Sequence, residues 1–219
     1  MASPVDPDPR AGTAFLPPPT LLVPGYHDTP RALRHCDRQL VAWGWPRPYV
    51  RCLGFRDTHG SNVEHAAELR AAIESLSDDT GVERIAVVAH SMGGLALRQY
   101  LTTAARPRVH TAIFVGTPHH GTWMAYLAWG AGGAEMRPNS PFLRQLNTRS
   151  LPPGVQAHCI STAIDSRVVP GSSALLTGAQ CHHVRLPTHP RMMRHARTLH
   201  LIRDLLLQSV TAAPSVQRG

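Results

Sequence analysis

The stretch Arg84–Leu101, RIAVVAHSMGGLALRQYL, decides how the rest of the 219-residue chain reads. Its opening, RIAVVA, is almost wholly apolar, as expected of a strand covered on both faces. Gly93–Leu101 reads as a helix. Between the two lies Ala89-His90-Ser91-Met92-Gly93, the pattern [GA]-x-S-x-G. A serine on so sharp a strand-to-helix turn needs small residues two before and two after it, because larger side chains would clash there. Such a turn lifts the hydroxyl above the carboxyl edge of a sheet. The helix N-terminus behind it favours developing negative charge. A glycine-rich strand–helix turn without chemistry is the bland alternative. A phosphate-cradling loop is not, since GxxxxGK[ST] needs a lysine and the chain has none.

Outward from this turn, short apolar runs alternate with longer amphipathic stretches. Thr20–Pro24 reads as a strand ending in a turn at Gly25, Arg31–Trp43 as a helix and Tyr49–Phe55 as a strand. In Asn62–Leu76 the residues Ala66, Leu69, Ile73 and Leu76 share one helical face, with Ser61 or Asn62 placed to cap it. His110–Gly116, Val155–Ser161 and Cys181–Leu186 read as further strands, and Met192–Leu207 as a closing helix. Strands alternating with helices predict an α/β fold, a mainly parallel central sheet with helices on both faces. The stretch from His119 to Arg149 is rich in glycine and apolar bulk, fits no strand, and predicts a short cap-like insertion. Residues 1–19, with six prolines and two aspartates, are expected to be disordered, as is a tail from 209 to 219. That leaves a single domain over 20–208.

Composition narrows the function classes. At 42% hydrophobic and 16% charged the chain is globular rather than disordered, and no run of 18 apolar residues exists to form a spanning helix. Its formal charge is +8 and all 22 basic residues are arginine. Most of the arginines are scattered, which argues against nucleic acid and fits arginine-biased codon usage. His182–Arg203 is denser, with five arginines and five histidines, and fits an anionic substrate or lipid surface as well as a solvated helix face. Twelve aromatics are too few for repeated base stacking. Cys36, Cys52, Cys159 and Cys181 show no metal-finger spacing and read as reduced core thiols, one bridge being allowed. The N-terminus has no basic region followed by an apolar one. A cytoplasmic location is therefore expected, and a secreted or periplasmic one only if the coding start lies elsewhere.

A serine nucleophile needs a base, and the base needs an orienting carboxylate. Three acidic residues follow Ser91: Glu135 in the expected cap, Asp165, and Asp204 in the closing helix. Asp165 follows the strand VQAHCIST, in a loop at the carboxyl end, where functional groups of open α/β sheets gather. Of the later histidines, His195 and His200 fall in the closing helix, held away from the turn. His182 and His183 fall at the last strand. His189 lies in the loop between, from which a base can reach the serine, with His183 the remaining alternative. His119 and His120 in GTPHHGT lack supporting ligands at metal spacing and read as loop anchors, and His90 as a packing residue. No metal and no cofactor is expected.

Four parts of the chain together resemble the α/β-hydrolase superfamily, and within it the small lipase and esterase group whose elbow opens on alanine. They are LLVPGYHDTP, VVAHSMGGLALRQYL, IFVGTPHHGT, and the segments around Asp165 and His189. The likeness spans roughly residues 20 to 207. It implies a Ser91–Asp165–His189 triad in the family's chain order and an oxyanion hole made by the backbone N–H groups of Met92 and Tyr26. Gly25 then lets the backbone approach the substrate. The chain departs from the family at Pro24, where a histidine is usual, and at Thr188 and Pro190 around His189. Trp123 and Met124 in the cap are candidate substrate contacts, although an apolar cluster at that spacing also suits a core face. The implied activity is hydrolysis of short- to medium-chain acyl esters through an acyl-enzyme. Acyl transfer by the same triad, or a silent binding protein on the same fold, are the alternatives. The implied partner is a small acyl ester or lipid, with transient contact to a lipid surface and no nucleic acid.

Overall fold

In the computed structural model, which describes residues 16–162, 165–185 and 188–211, the apolar run before the elbow is a central strand. The elements in chain order are β1 (Thr20–Val23), α1 (Pro30–Ala42), β2 (Val50–Cys52), α2 (Asn62–Thr80), β3 (Ile85–His90), α3 (Met92–Thr103) and β4 (Val109–Val115). A cap follows, made of a 3-10 turn (Trp123–Leu127), α4 (Gly130–Glu135) and α5 (Pro141–Asn147). The chain closes with β5 (Gln156–Thr162), β6 (Gln180–Val184) and α6 (Ala196–Thr211). The six strands pair in parallel in the order β2-β1-β3-β4-β5-β6. From β1 the chain moves outward to β2 and then returns to β3 on the other side. The strand order therefore reverses between β1 and β3. At such a switch point the loops at the carboxyl ends diverge to opposite faces and leave a crevice.

Successive residues of β3 feed opposite faces of the sheet, as a two-residue period requires. Ile85, Val87 and Ala89 join Leu69, Ile73 and Leu76 of α2 and Leu97 and Leu101 of α3 in one core layer. Ala86 and Val88 join Leu33 and Leu40 of α1 and Leu199, Ile202 and Leu206 of α6 in the other. Both faces being covered, β3 needs no polar alternation and has none. Truncating any of these fully buried leucines to alanine removes about 2–5 kcal/mol by transfer and cavity terms. Of the two expected caps for α2, Ser61 is the one used: its hydroxyl accepts from the Val63 amide, and Gly81 at φ 68° closes the far end.

The cap rests on a third apolar cluster, Met92 and Leu95 of α3 with Ala125, Met136, Leu143 and Leu146. Two polar clamps fix it. The Glu135 carboxylate accepts from Ser61 Oγ at 2.6 Å, from the Asn62 amide at 2.7 Å and from Asn62 Nδ2 at 2.8 Å, and so sits at the N-terminus of α2. The buried Arg98 of α3 donates to Asn147 Oδ1 at 2.8 Å and to the Leu146 carbonyl at 3.2 Å. Burial brings its guanidinium down to about 10.

The structure corrects three boundaries. Pro17–Pro19, expected within a disordered leader, are buried. The Pro18 carbonyl accepts from Trp45 Nε1 at 3.0 Å and the Pro19 carbonyl from the Ala86 amide at 2.8 Å. Residues 1–15 of that expectation lie outside the described residues. At the other end α6 runs to Thr211 with Ser209 buried, so the expected tail starts too early; residues 212–219 again lie outside the described residues. The closing helix begins at Ala196 rather than Met192: His189–Arg194 form 3-10 turns, and an extended His195 separates them from α6. All four cysteines are free, and no described helix is long and apolar enough to cross a membrane.

Candidate active site

Ser91 stands between the last residue of β3 and the first of α3, with φ 54° and ψ −128°. A non-glycine residue in that region carries strain of about 1–3 kcal/mol and persists only where its surroundings hold it. Here its amide donates to the Val115 carbonyl at 2.8 Å and its carbonyl accepts from the Gly94 amide at 3.0 Å. The small residues of the motif have a visible reason. A methyl on Gly93 would run into the backbone carbonyl of Pro24. Gly25 faces the elbow from the β1 side: a Cβ there would lie 2.9 Å from Ser91 Cβ and 3.3 Å from His90 Nδ1. The β1 loop and the elbow are thus packed backbone to side chain at the switch point.

His189 reaches the same place from the turns after β6. Its Nδ1–H donates to Asp165 Oδ2 at 2.9 Å, with the two side chains 5% and 3% exposed. That bond leaves Nε2 as the lone-pair nitrogen. Asp165 Oδ1 accepts from the amides of Arg167 and Val168, each at 2.8 Å, so both carboxylate oxygens are engaged. Burial alone would raise the Asp165 carboxyl, but the His189 bond and the two amides outweigh it and leave it below its ordinary value. Burial pushes the His189 imidazole below its ordinary value, and the Asp165 bond opposes this only in part. His90 packs against it, ring centres 4.8 Å apart, and its Nε2–H donates to the His189 carbonyl at 3.3 Å.

Ser91 and His189 both line a cavity of about 360 Å³. Among the described residues no hydrogen bond joins the Ser91 hydroxyl to His189. Such contacts commonly tighten only when substrate is bound. The apolar wall comes from the cap and the loops beside it: Met124, Leu127, Trp129, Met136 and Val168, with Tyr26. The amide of Tyr26 has no partner among the described residues, and that of Met92, first in α3, has none within the helix. Of the two cap candidates, Met124 lines the cavity. Trp123 does not: it is 59% exposed and stacks on Tyr126 outside the wall. The 3-10 turn rotates it away and presents Trp129 instead.

The other sequence candidates separate in space. His182 sits against His158 and His183 against Ser161, on the β5–β6 edge and outside the cavity wall. Asp204 pairs with Arg203, and Glu135 is the cap clamp. His119 is fully buried, edge-on to Phe114 and 3.6 Å from Cys159 Sγ, while His120 donates its amide to Ser173 Oγ; both anchor the loop after β4. Among the described residues no group of three or more His, Cys, Asp or Glu is arranged to hold a metal ion.

One feature escaped sequence reasoning. His27 Nδ1 lies 2.7 Å from His59 Nε2, and His59 stacks on Trp129 with ring centres 4.9 Å apart. Tyr26 Oη donates to the Trp129 carbonyl at 2.8 Å and accepts from its amide at 3.0 Å. The signal was the aromatic pair directly after Gly25, on a loop that both flanks the serine and faces the cap.

Comparison with known proteins agrees with this architecture. The chain resembles the mature form of Bacillus licheniformis lipase BlEst2 at a TM-score of 0.75, with 16% identity over 93% of this chain and 96% of that one. It resembles Aspergillus fumigatus lipase B at 0.73, with 21% identity over 87% of this chain and 52% of that one. Paleococcus ferrophilus monoacylglycerol lipase matches at 0.64, with 12% identity over 89% and 97%. At these identities the likeness is one of fold. The model of the alpha/beta hydrolase fold family matches residues 23–138, more than half of the chain, from the end of β1 through the elbow to just past α4 of the cap. The parallel sheet, the strained serine at its switch point and this match together make the chain a member of the α/β-hydrolase fold family.

Proposed function

We propose that the protein is a serine hydrolase that cleaves carboxylic acyl esters through an acyl-enzyme, with Ser91, His189 and Asp165 as its triad. One observation carries the reading: a serine held at positive φ shares an apolar cavity with an imidazole whose far nitrogen is bonded at 2.9 Å to a buried carboxylate. Ser91 Oγ attacks the ester carbonyl carbon while His189 Nε2 takes its proton. Asp165 keeps the imidazole in the required tautomer and stabilises the imidazolium. The amides of Met92 and Tyr26 receive the oxyanion. Collapse of the tetrahedral adduct expels the alcohol, which takes its proton from His189. Water then repeats the sequence on the acyl-enzyme and releases the acid.

The lipase-like neighbours and the apolar wall support an acyl chain lying beneath the cap. A cavity of this size suits short to medium chains. The test is hydrolysis of p-nitrophenyl esters from acetate to decanoate by wild type and Ser91→Ala, with fluorophosphonate labelling of the serine. The expected outcome is a loss of about 10³-fold or more in Ser91→Ala and labelling confined to wild type. Equal turnover by the two proteins would overturn the proposal.

A further inference from the structure

A second cavity of about 390 Å³ adjoins the first, and the two share Asp28, His90 and Pro190 as their common wall. Its outer walls are of a different chemistry. Arg31, Arg34 and Arg38 line one side from α1, spaced three and four residues apart so that they share a helical face. Arg194, from the turns that carry His189, lines the other. None of the four has a hydrogen-bond or ion-pair partner among the described residues. The nearby Asp37 is taken by Arg47, whose Nη1 donates to it at 2.9 Å. Asp28 is the one carboxylate on the wall, 3.7 Å from His90 Nδ1. Four arginines therefore line a cleft whose wall holds a single carboxylate.

The two cavities also differ in placement. The cap, with its apolar wall, is fastened to α2 and α3 on one face of the sheet. The arginine cleft is built on α1, which packs on the opposite face with α6. The reacting serine and imidazole lie between them, at the switch point. A substrate spanning both would place its acyl chain under the cap and its alcohol portion along the arginines, next to the imidazole that protonates the departing oxygen. Guanidinium groups recognise phosphate oxygens by paired N–H donors, and several unpaired ones converging favour a dianion over a neutral alcohol.

We propose that the cleft between α1 and the His189 turns is a phosphate-binding subsite, and that the preferred substrates are acyl esters of a phosphorylated alcohol. This rests on the hydrolase reading above for its catalytic part only. The test compares two short-chain esters that differ in one group, 1-butyryl-glycerol and 1-butyryl-glycerol 3-phosphate. Wild type should show a kcat/KM at least tenfold higher on the phosphorylated ester. The doubly substituted R34Q/R194Q, one change from each wall, should lose most of that preference, and Arg106→Gln should keep it. Arg106 lies exposed in the loop between α3 and β4, at the opposite end of the sheet, and controls for the loss of an arginine charge remote from the cleft, one charge against the two of the double variant. A ratio near one in wild type, or equal losses in R34Q/R194Q and Arg106→Gln, would overturn the subsite. Calorimetry on Ser91→Ala separates the two proposals. Glycerol 3-phosphate should bind at least tenfold more tightly than inorganic phosphate if the alcohol portion is seated, and equal affinities would assign the cleft to free phosphate and overturn the substrate claim. If wild type cleaves neither these esters nor the p-nitrophenyl series, the hydrolase reading fails, while this binding measurement still decides the cleft.

Discussion

Replacing Gly25 by alanine should separate activity from stability. Gly25 is not among the glycines at positive φ, so alanine meets no backbone strain there. The obstacle is the nucleophile itself, since the new methyl would lie 2.9 Å from Ser91 Cβ. Ordinary contact begins at 3.4 Å, so the β1 loop and the elbow must part by about 0.5 Å (3.4 − 2.9). The atoms that move are the amide of Tyr26 and the hydroxyl of Ser91. Reacting groups tolerate about 0.5 Å of displacement, and 1 Å costs about 10²-fold. A loss of roughly 10- to 100-fold in kcat/KM on a p-nitrophenyl ester follows. Stability should fall by no more than about 1–2 kcal/mol: overpacking costs about 1–3, partly offset by the reduced freedom of the unfolded chain. Urea midpoints of a double-mutant cycle isolate the contact. In a Ser91→Gly background there is no Cβ to meet, and Gly25→Ala should cost clearly less, only the 3.3 Å contacts with His90 Nδ1 and Asp28 Oδ2 remaining. Activity within twofold of wild type, or the same stability cost in both backgrounds, would refute the reasoning.

Other expectations are simpler to state. Because burial lowers His189 below its ordinary 6.5 and catalysis needs it neutral, the acid limb of kcat/KM should have its midpoint below pH 6.5. Asp165→Asn removes the partner that raises it, so the limb should move lower still while the rate drops about 10⁴-fold; a limb moving upward would contradict the assignment. Burial holds His110 and His158 down at about 4 and His119 well below its ordinary value, so all three fold neutral. Between their unfolded value of 6.5 and about 4 the unfolded chain binds more protons, and stability should fall as pH falls through that window. Each histidine contributes about 1.4 kcal/mol per pH unit, and a flat series of urea midpoints from pH 7.5 to 5 would exclude this. Glu135→Ala strips three donors at the N-terminus of α2 of their acceptor and should cost about 1–3 kcal/mol, with faster amide exchange localised to 130–147.

The parts of the fold legible in the sequence are those with a local cause. A strand covered on both faces must read as RIAVVA, and a helix presenting one face must space Ala66, Leu69, Ile73 and Leu76 as it does. Ser91, Asp165 and His189 could be proposed together because each sits at the carboxyl end of a strand, and chain order then restricts the choice. What escaped depends on partners remote in sequence. Nothing within the proline run announces that the Pro19 carbonyl will accept from Ala86, or that Pro18 will hold Trp45. Trp123 and Trp129 look alike as composition. Which one faces the cavity is set by a five-residue 3-10 turn and by the bond of Trp129 to Tyr26. The arginine cleft was legible only as the arginine-dense His182–Arg203, since its walls come from residues more than 150 positions apart.

The cap is fastened at the last residue of each of its two short helices, by Glu135 to the head of α2 and by Asn147 to Arg98, and its Trp129 is stitched to the loop after β1. A roof secured at three points behaves as a sieve of constant aperture rather than a door. Selectivity should then follow the girth of the incoming chain, and turnover of a soluble ester should rise smoothly through its micelle threshold with no jump in rate.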